Sequence, residues 1–258
     1  MIGTILVLGT AGSGKTSLVK AYGDHLRSVG VSHMLVNFDP AVSTLPYNPD
    51  LDVRDFVSIS RILEREALGP NGAIIAAVDL AATHLSEISK SILDEDPDYV
   101  IVDTPGQLEI FAFRSAGPMV VNEISHGQKV SLFLLDPTLA QEPADLASLL
   151  LLSTSSTLRL GLNTLNILSK ADILREEERD KLLGYFEEPE ALGAELRRSK
   201  GMARELAAQL LDVVFLTGGV PSPLLVSAAE YQGLEELHGE IQRQFLGGEV
   251  EDAGRERE

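Results

Sequence analysis

An α/β fold, doubly wound about a mainly parallel sheet, is what this 258-residue sequence predicts, and three observations predict it. Apolar runs of strand length recur along the chain mostly without alternation. Stretches with apolar residues at three- and four-residue spacing, the helical period, lie between them. A glycine-rich turn joins the first such strand to the first such helix.

The strand-like runs are Thr4–Leu8, Met34–Phe38, Tyr99–Val102, Val130–Leu135, Leu165–Leu168 and Leu224–Val226. Lack of alternation means burial on both faces, which a parallel sheet covered by helices provides. The helical patterns are Lys15–Val29, Asp55–Ala67, Ile74–Leu93, Pro143–Leu158, Glu195–Leu211 and Leu234–Phe245. In the third, Ile74, Val78, Ala81, Leu85, Ile88 and Ile92 step by four and three in turn along one long helix. That stripe is either an ordinary core face or one that also meets a partner subunit. Glu176–Asp180 begins a solvated helix. From Gly247 the only large apolar residue is Val250, so 247–258 reads as a disordered acidic tail behind a single domain, 1–246.

Composition narrows the function. The 39 acidic against 21 basic residues give a formal charge of −18, which repels nucleic acid and anionic lipid, so neither is an expected partner. Absence of cysteine excludes disulfides and thiolate metal sites. None of the five histidines has a companion at metal-ligand spacing. The run Ile5–Leu8 is too short for a secretory signal, and no apolar stretch approaches the ~20 residues of a membrane span. A soluble cytoplasmic protein is the expectation.

Gly9-Thr10-Ala11-Gly12-Ser13-Gly14-Lys15-Thr16 matches G-x-x-x-x-G-K-S/T, follows a strand and opens a helix, the context of a phosphate-binding loop (P-loop). Its backbone N–H groups must turn inward around phosphate oxygens, where the helix N-terminus adds partial positive charge. Gly12, Ser13, Gly14, Lys15, Thr16 and Ser17 are the candidate phosphate-binding residues, with Lys15 reaching the β- and γ-phosphates and the Thr16 hydroxyl on Mg²⁺. The strand Tyr99–Val102 ends in Asp103-Thr104-Pro105-Gly106-Gln107, placing a carboxylate for Mg²⁺, through water, and a Gly106 N–H that can feel the γ-phosphate. Ser169-Lys170-Ala171-Asp172 follows another strand. Its Asp172 carboxylate can accept from both N1–H and N2–H₂ of guanine, a donor pair adenine lacks. Ser169 stands where the commoner N-K-x-D form has Asn. Ser227-Ala228-Ala229 can bring a backbone N–H to the guanine oxygen.

In this order the motifs reproduce those of a GTPase. Together with Gly69-Pro70-Asn71, Asn37-Phe38-Asp39-Pro40-Ala41, Asp52-Val53-Arg54-Asp55 and Asp103–Glu109, they make the chain resemble the GPN-loop GTPases, particularly the archaeal form, from about Ile5 to about Phe245. Alone, Gly69-Pro70-Asn71 is good turn chemistry; here it lies in a helical insertion at about 50–95. The resemblance implies a homodimer joined through the nucleotide face, with Gly69, Pro70 and Asn71 acting in the partner's site. It implies no arginine finger: Asp39, Gln107 and Glu109 arrange the attacking water, beside Lys15. Asp39 is alternatively a contact of the metal's water shell. The implied cofactors are GTP or GDP and Mg²⁺. A nucleotide-driven switch acting on a protein client is also implied, RNA polymerase assembly being the family's example. A groove between Pro143–Leu158 and Glu195–Leu211 is the candidate client contact. Two alternatives are a P-loop kinase, for which no arginine-rich acceptor lid is found, and a non-catalytic nucleotide-gated scaffold.

Overall fold

A computed structural model describes residues 3–66, 68–124, 127–198, 201–216 and 220–255, the last nine by their backbone alone. Its strands are β1 (Gly3–Gly9), β2 (His33–Asn37), β3 (Leu51–Asp52), β4 (Tyr99–Asp103), β5 (Gln128–Leu135), β6 (Asn163–Leu168) and β7 (Leu224–Leu225). They form one seven-stranded sheet in the order β3-β2-β4-β1-β5-β6-β7, every pairing parallel. The helices are α1 (Lys15–Ser28), α2 (Ile59–Arg65), α3 (Pro70–Ala82), α4 (Leu85–Glu95), α5 (Leu108–Phe111), α6 (Ala116–Glu123), α7 (Pro143–Leu160), α8 (Glu176–Glu187), α9 (Pro189–Arg198), α10 (Met202–Leu216) and α11 (Leu234–Arg255).

The unalternated strands are buried on both faces because each face has its own core. Leu6, Leu8, Val100, Val102 and Phe133 point to one side, where α3, α4, α6, α7, α9 and α10 cover them. Ile5, Val7, Tyr99, Ile101 and Leu132 point to the other, against α1 and α11. At about 1.5–3 kcal/mol for each fully buried aliphatic side chain, β1 and β4 are the most securely held strands, since every residue in both is buried. Their carboxyl ends carry the phosphate loop and Asp103. Among the described residues no helix is long and apolar enough to cross a membrane.

Several expectations change. The long helix over Ile74–Leu93 is two, α3 and α4, broken where Thr83 Oγ1 turns back onto the Leu80 carbonyl at 2.7 Å. The stripe survives the break, because Val78, Ala81, Leu85, Ile88 and Ile92 are all buried in the core. Glu195–Leu211 is likewise two helices, α9 and α10, with Gly201 at φ +149 between them. Ala208 and Leu211 are buried with Leu146 and Leu150 of α7, so the expected groove is core; α10 instead exposes Met202, Leu206, Val213 and Leu216 on its outer side. Asp55–Ala67 shortens to α2, preceded by a 3₁₀ turn at Val53–Asp55. Residue 67 lies outside the described residues. The backbone of α11 continues helical to Arg255, across most of the stretch read as a disordered tail; 256–258 lie outside the described residues.

Candidate nucleotide site

All strands being parallel, their carboxyl ends share one edge of the sheet, where open α/β sheets bind ligands. The register sets Val7 beside Asp103 and Gly9 beside Leu134, so the loop after β1 is flanked by the loops after β4 and β5. Gly12 and Gly14 have φ of +79° and +98°, a left-handed backbone that a side chain would strain. Gly14 caps α1, whose first turn carries no acidic residue, leaving its free N–H groups open to an anion. Lys15 Nζ donates to the carbonyls of Gly9 (3.0 Å), Thr10 (2.9 Å) and Gly106 (3.3 Å). Burial lowers the pKa of its ammonium, against the pull of Asp103 and Asp39. The Thr10 and Ser13 hydroxyls are buried with no protein partner, as suits groups that meet phosphate oxygens.

Asp103 is 1% exposed. Its Oδ2 accepts from the Tyr47 hydroxyl at 3.1 Å, while Oδ1 is buried without a hydrogen-bond partner. Burial pushes its carboxyl up to about 6, against the Thr16 and Tyr47 hydroxyls and the Lys15 charge. An orphaned carboxylate oxygen near the Thr16 hydroxyl is the hard oxygen set that fits Mg²⁺. Among the described residues no group of three or more His, Asp or Glu could hold a metal by itself, so the rest of such a cation's shell falls to phosphate and water. Thr104 Oγ1 fixes the loop by donating to the Val7 carbonyl at 2.6 Å. Asp39 lies in the same place with both carboxylate oxygens engaged, Oδ2 by Gly106 N–H (3.2 Å) and Oδ1 by Ala41 N–H (2.9 Å). Behind it Asn37 bonds the Asp39 N–H and carbonyl and also Asp52 Oδ1.

The residues expected to meet the base come together within the chain. Gly14, Ser17, Leu134, Ser169, Lys170, Asp172 and Ala228 line a cavity of about 250 Å³ that opens beside the phosphate loop. Ser227 Oγ donates to Asp172 Oδ1 at 2.5 Å, holding one carboxylate oxygen and aiming the side chain. Lys170, at φ +52°, reaches Asp136 Oδ2 at 2.8 Å. Burial raises Asp136, but the bonds from Lys170 and Thr138 outweigh it and hold the carboxyl below its usual range. Ser169, in place of Asn, donates its hydroxyl to the Leu135 carbonyl at 3.2 Å, bracing the loop to β5. Gly233 supports this wall from outside: at φ +75°, a Cβ there would stand 2.0 Å from the Leu225 carbonyl.

The remaining residues are not gathered in. Gln107 and Glu109 are exposed, as are Gly69, Pro70 and Asn71, where Gly69 precedes α3 and Pro70 opens it. The side chains of Gln107, Glu109 and Asn71 meet no hydrogen-bond or ion-pair partner among the described residues. Sequence reasoning passed over Thr10, Tyr47, Asp136 and Thr138. Asp136 had a signal, since it ends a buried strand just as Asp103 does; Tyr47 had only its place between Pro46 and Pro49.

A phosphate cradle at a helix N-terminus, a buried carboxylate beside it and a base cavity on the same sheet edge define a P-loop nucleoside-triphosphate-binding protein. Comparison narrows the class. A family model described as a conserved hypothetical ATP binding protein matches residues 7–246. A GPN-loop GTPase of Pyrococcus abyssi is 34% identical over 235 residues, 90% of this chain and 93% of the relative. GPN-loop GTPase 3 of Kluyveromyces lactis is 31% identical over 73% of this chain and 70% of its own length. The solved apo structure of a Pyrococcus abyssi GTPase superposes with a TM-score of 0.82 at 33% identity, covering 94% of this chain and 97% of that one. The chain belongs to the GPN-loop GTPase family.

Proposed function

We propose that this GPN-loop GTPase is a Mg²⁺-dependent homodimer in the cytoplasm, hydrolysing GTP to GDP and phosphate and using the bound state to set its shape for a protein client. The observation that carries the reading is the cavity lined by Ser169, Lys170, Asp172 and Ala228 that also reaches Gly14 and Ser17, so that the recess assigned to guanine lies directly beside the phosphate loop. The family description mentions ATP, but a carboxylate at the base edge favours guanine, which offers it two donors, and repels the acceptor N1 of adenine.

In this reading Lys15 leaves its backbone carbonyls for the β- and γ-phosphate oxygens, and the N–H groups of Gly12 to Thr16 surround them. Thr16 and Asp103 would hold magnesium, which would neutralise charge on those oxygens. Asp39, Gln107 and Glu109 orient a water in line with the γ-phosphorus. Its oxygen bonds to phosphorus as the bond to the β,γ-bridging oxygen breaks, and its proton passes to phosphate. Gly69, Pro70 and Asn71 of the second copy close the site from outside, consistent with their exposure in a single chain. Positioning and charge neutralisation are most of what phosphoryl transfer asks of a protein. Gly106 N–H, tied here to Asp39, is the donor that registers the γ-phosphate. The client, by family resemblance one of RNA polymerase assembly, meets an outer surface, for which the exposed apolar side of α10 is the candidate.

The test measures mass in solution and tight nucleotide binding with GDP and with a non-hydrolysable GTP analogue, with and without Mg²⁺. A dimer with at least one nucleotide and guanine selectivity is expected. A monomer in both states removes the trans arrangement, and equal affinity for ATP removes the guanine assignment.

A further inference from the structure

Between β2 and β3 the chain runs from Phe38 to Asp50 without regular secondary structure, yet it is fastened repeatedly. Arg54 grips Asp52 with both Nε and Nη2, and its Nη1 donates to the carbonyls of Val42 (3.1 Å) and Ser43 (3.4 Å). Asp50 exchanges bonds with Leu35, its N–H to the carbonyl at 2.8 Å and its Oδ2 from the N–H at 2.7 Å. Prolines at 40, 46 and 49 restrict both their own φ and the residue before each. A segment held so firmly presents its side chains at fixed positions.

Two of those side chains meet the two ends of one other loop. Asp39 takes the Gly106 N–H, and Tyr47, its ring packed against the core under α1, donates its hydroxyl to Asp103 Oδ2. The remaining oxygen, Oδ1, is the buried one without a partner. We infer that Tyr47 is a positioning residue for the magnesium carboxylate, occupying one oxygen of Asp103 and fixing its rotamer so that the other faces the cation's water shell. This rests on the nucleotide reading above. A carboxylate with one oxygen bound by a rigid phenol loses rotational freedom before the metal arrives, so less ordering cost falls on metal binding. It also makes the segment 39–47 a bridge: the residue that holds the Gly106 N–H and the residue that orients the Asp103 carboxylate sit on one fastened length of chain.

The experiment uses the full-length protein and Tyr47→Phe, which keeps the ring and removes only the donor. Binding of a fluorescent GDP analogue is titrated with Mg²⁺, and its affinity is measured separately in EDTA. A hydrogen bond to a charged acceptor is worth enough to move an equilibrium about tenfold. The Mg²⁺ concentration at half effect therefore rises about tenfold in Tyr47→Phe, while the EDTA affinity stays within about twofold; the Mg²⁺-free melting temperature falls only by what one lost donor costs a buried carboxylate. A purely structural role gives the opposite pattern, weaker EDTA binding with the Mg²⁺ midpoint unmoved, and overturns the inference. Should the variant not fold, the same titration on Arg54→Gln, which loosens the segment but keeps the phenol, must still raise the Mg²⁺ midpoint; an unmoved midpoint there overturns it. Wild-type binding that ignores Mg²⁺ altogether sinks the nucleotide reading itself, whereas a Mg²⁺-dependent wild type with an unchanged Tyr47→Phe midpoint sinks only the role of Tyr47.

Discussion

The half of the candidate site proposed to hold the base and the half proposed to carry hydrolysis are built in opposite ways. Around the base, Asp172 is held by Ser227, Lys170 by Asp136, and Asp136 by Thr138. Each polar group arrives already aimed, by a partner in its own chain. Gln107, Glu109 and Asn71 are exposed, with side chains that no described residue holds. A preorganised pocket binds with little reordering, whereas groups left free can be set only by something that arrives later. In the proposed reading, recognition of nucleotide needs one chain and the chemistry needs the second copy.

The largest expected effect breaks the closed half. Asp172→Asn turns one acceptor into a donor that faces guanine's own donors, so GTP affinity by calorimetry falls by about three orders of magnitude, and xanthosine triphosphate, whose 2-oxo group accepts, becomes the better ligand. Unchanged GTP affinity would detach Asp172 from the base.

Next in size is the buried carboxylate between the halves. Asp103 titrates at about 6 in the folded chain against about 3.9 when unfolded. Between these values the native state holds a proton that the unfolded state lacks, so with metal chelated this group makes stability fall as pH rises from about 4 to about 6. Asp103→Asn removes that slope. In urea unfolding with EDTA at pH 7.5 it is at least as stable as wild type, the relief of the buried charge outweighing the unpartnered amide, while it loses the Mg²⁺ dependence of nucleotide binding. A variant less stable in EDTA would contradict the desolvation argument.

Smaller still is the open half. Asn71→Ala lowers single-turnover hydrolysis about tenfold with GDP affinity unchanged. If the residue acts across a dimer, mixing that variant with Lys15→Ala restores one intact site per mixed dimer, and hydrolysis partly returns. Recovery of nothing on mixing would place Asn71 in its own chain's site. The smallest effect concerns stability: Gln107→Ala and Asn71→Ala each stay within about 0.5 kcal/mol of wild type in urea unfolding, as expected of exposed side chains without partners.

What the sequence disclosed follows the range of the interactions. The phosphate loop was legible because its determinants are eight consecutive residues, and the central strands because full burial leaves an unbroken apolar run. Strand β3 was not, since two residues carry no pattern and exist as a strand only by pairing with Val36 and Asn37. The break at Thr83 was hidden because Ala81 to Leu85 keeps the four-residue step through it. Within the site, Asp172 and Ser227 were both anticipated, but the contact between them spans 55 residues. Lys170 was read, and its partner 34 residues earlier was not, for a tertiary ion pair leaves no mark at either position.

Gly233 does not line the cavity, yet no other residue fits there, because the smallest side chain would collide with the Leu225 carbonyl and push the chain leading to Ser227. In the proposed reading, selectivity for a base therefore depends also on a position behind the wall. In a mutational scan read out by nucleotide discrimination, 233 would emerge among the sensitive sites while its side of the molecule looked like plain scaffold, and drift toward another base would have to leave it untouched and begin at 172.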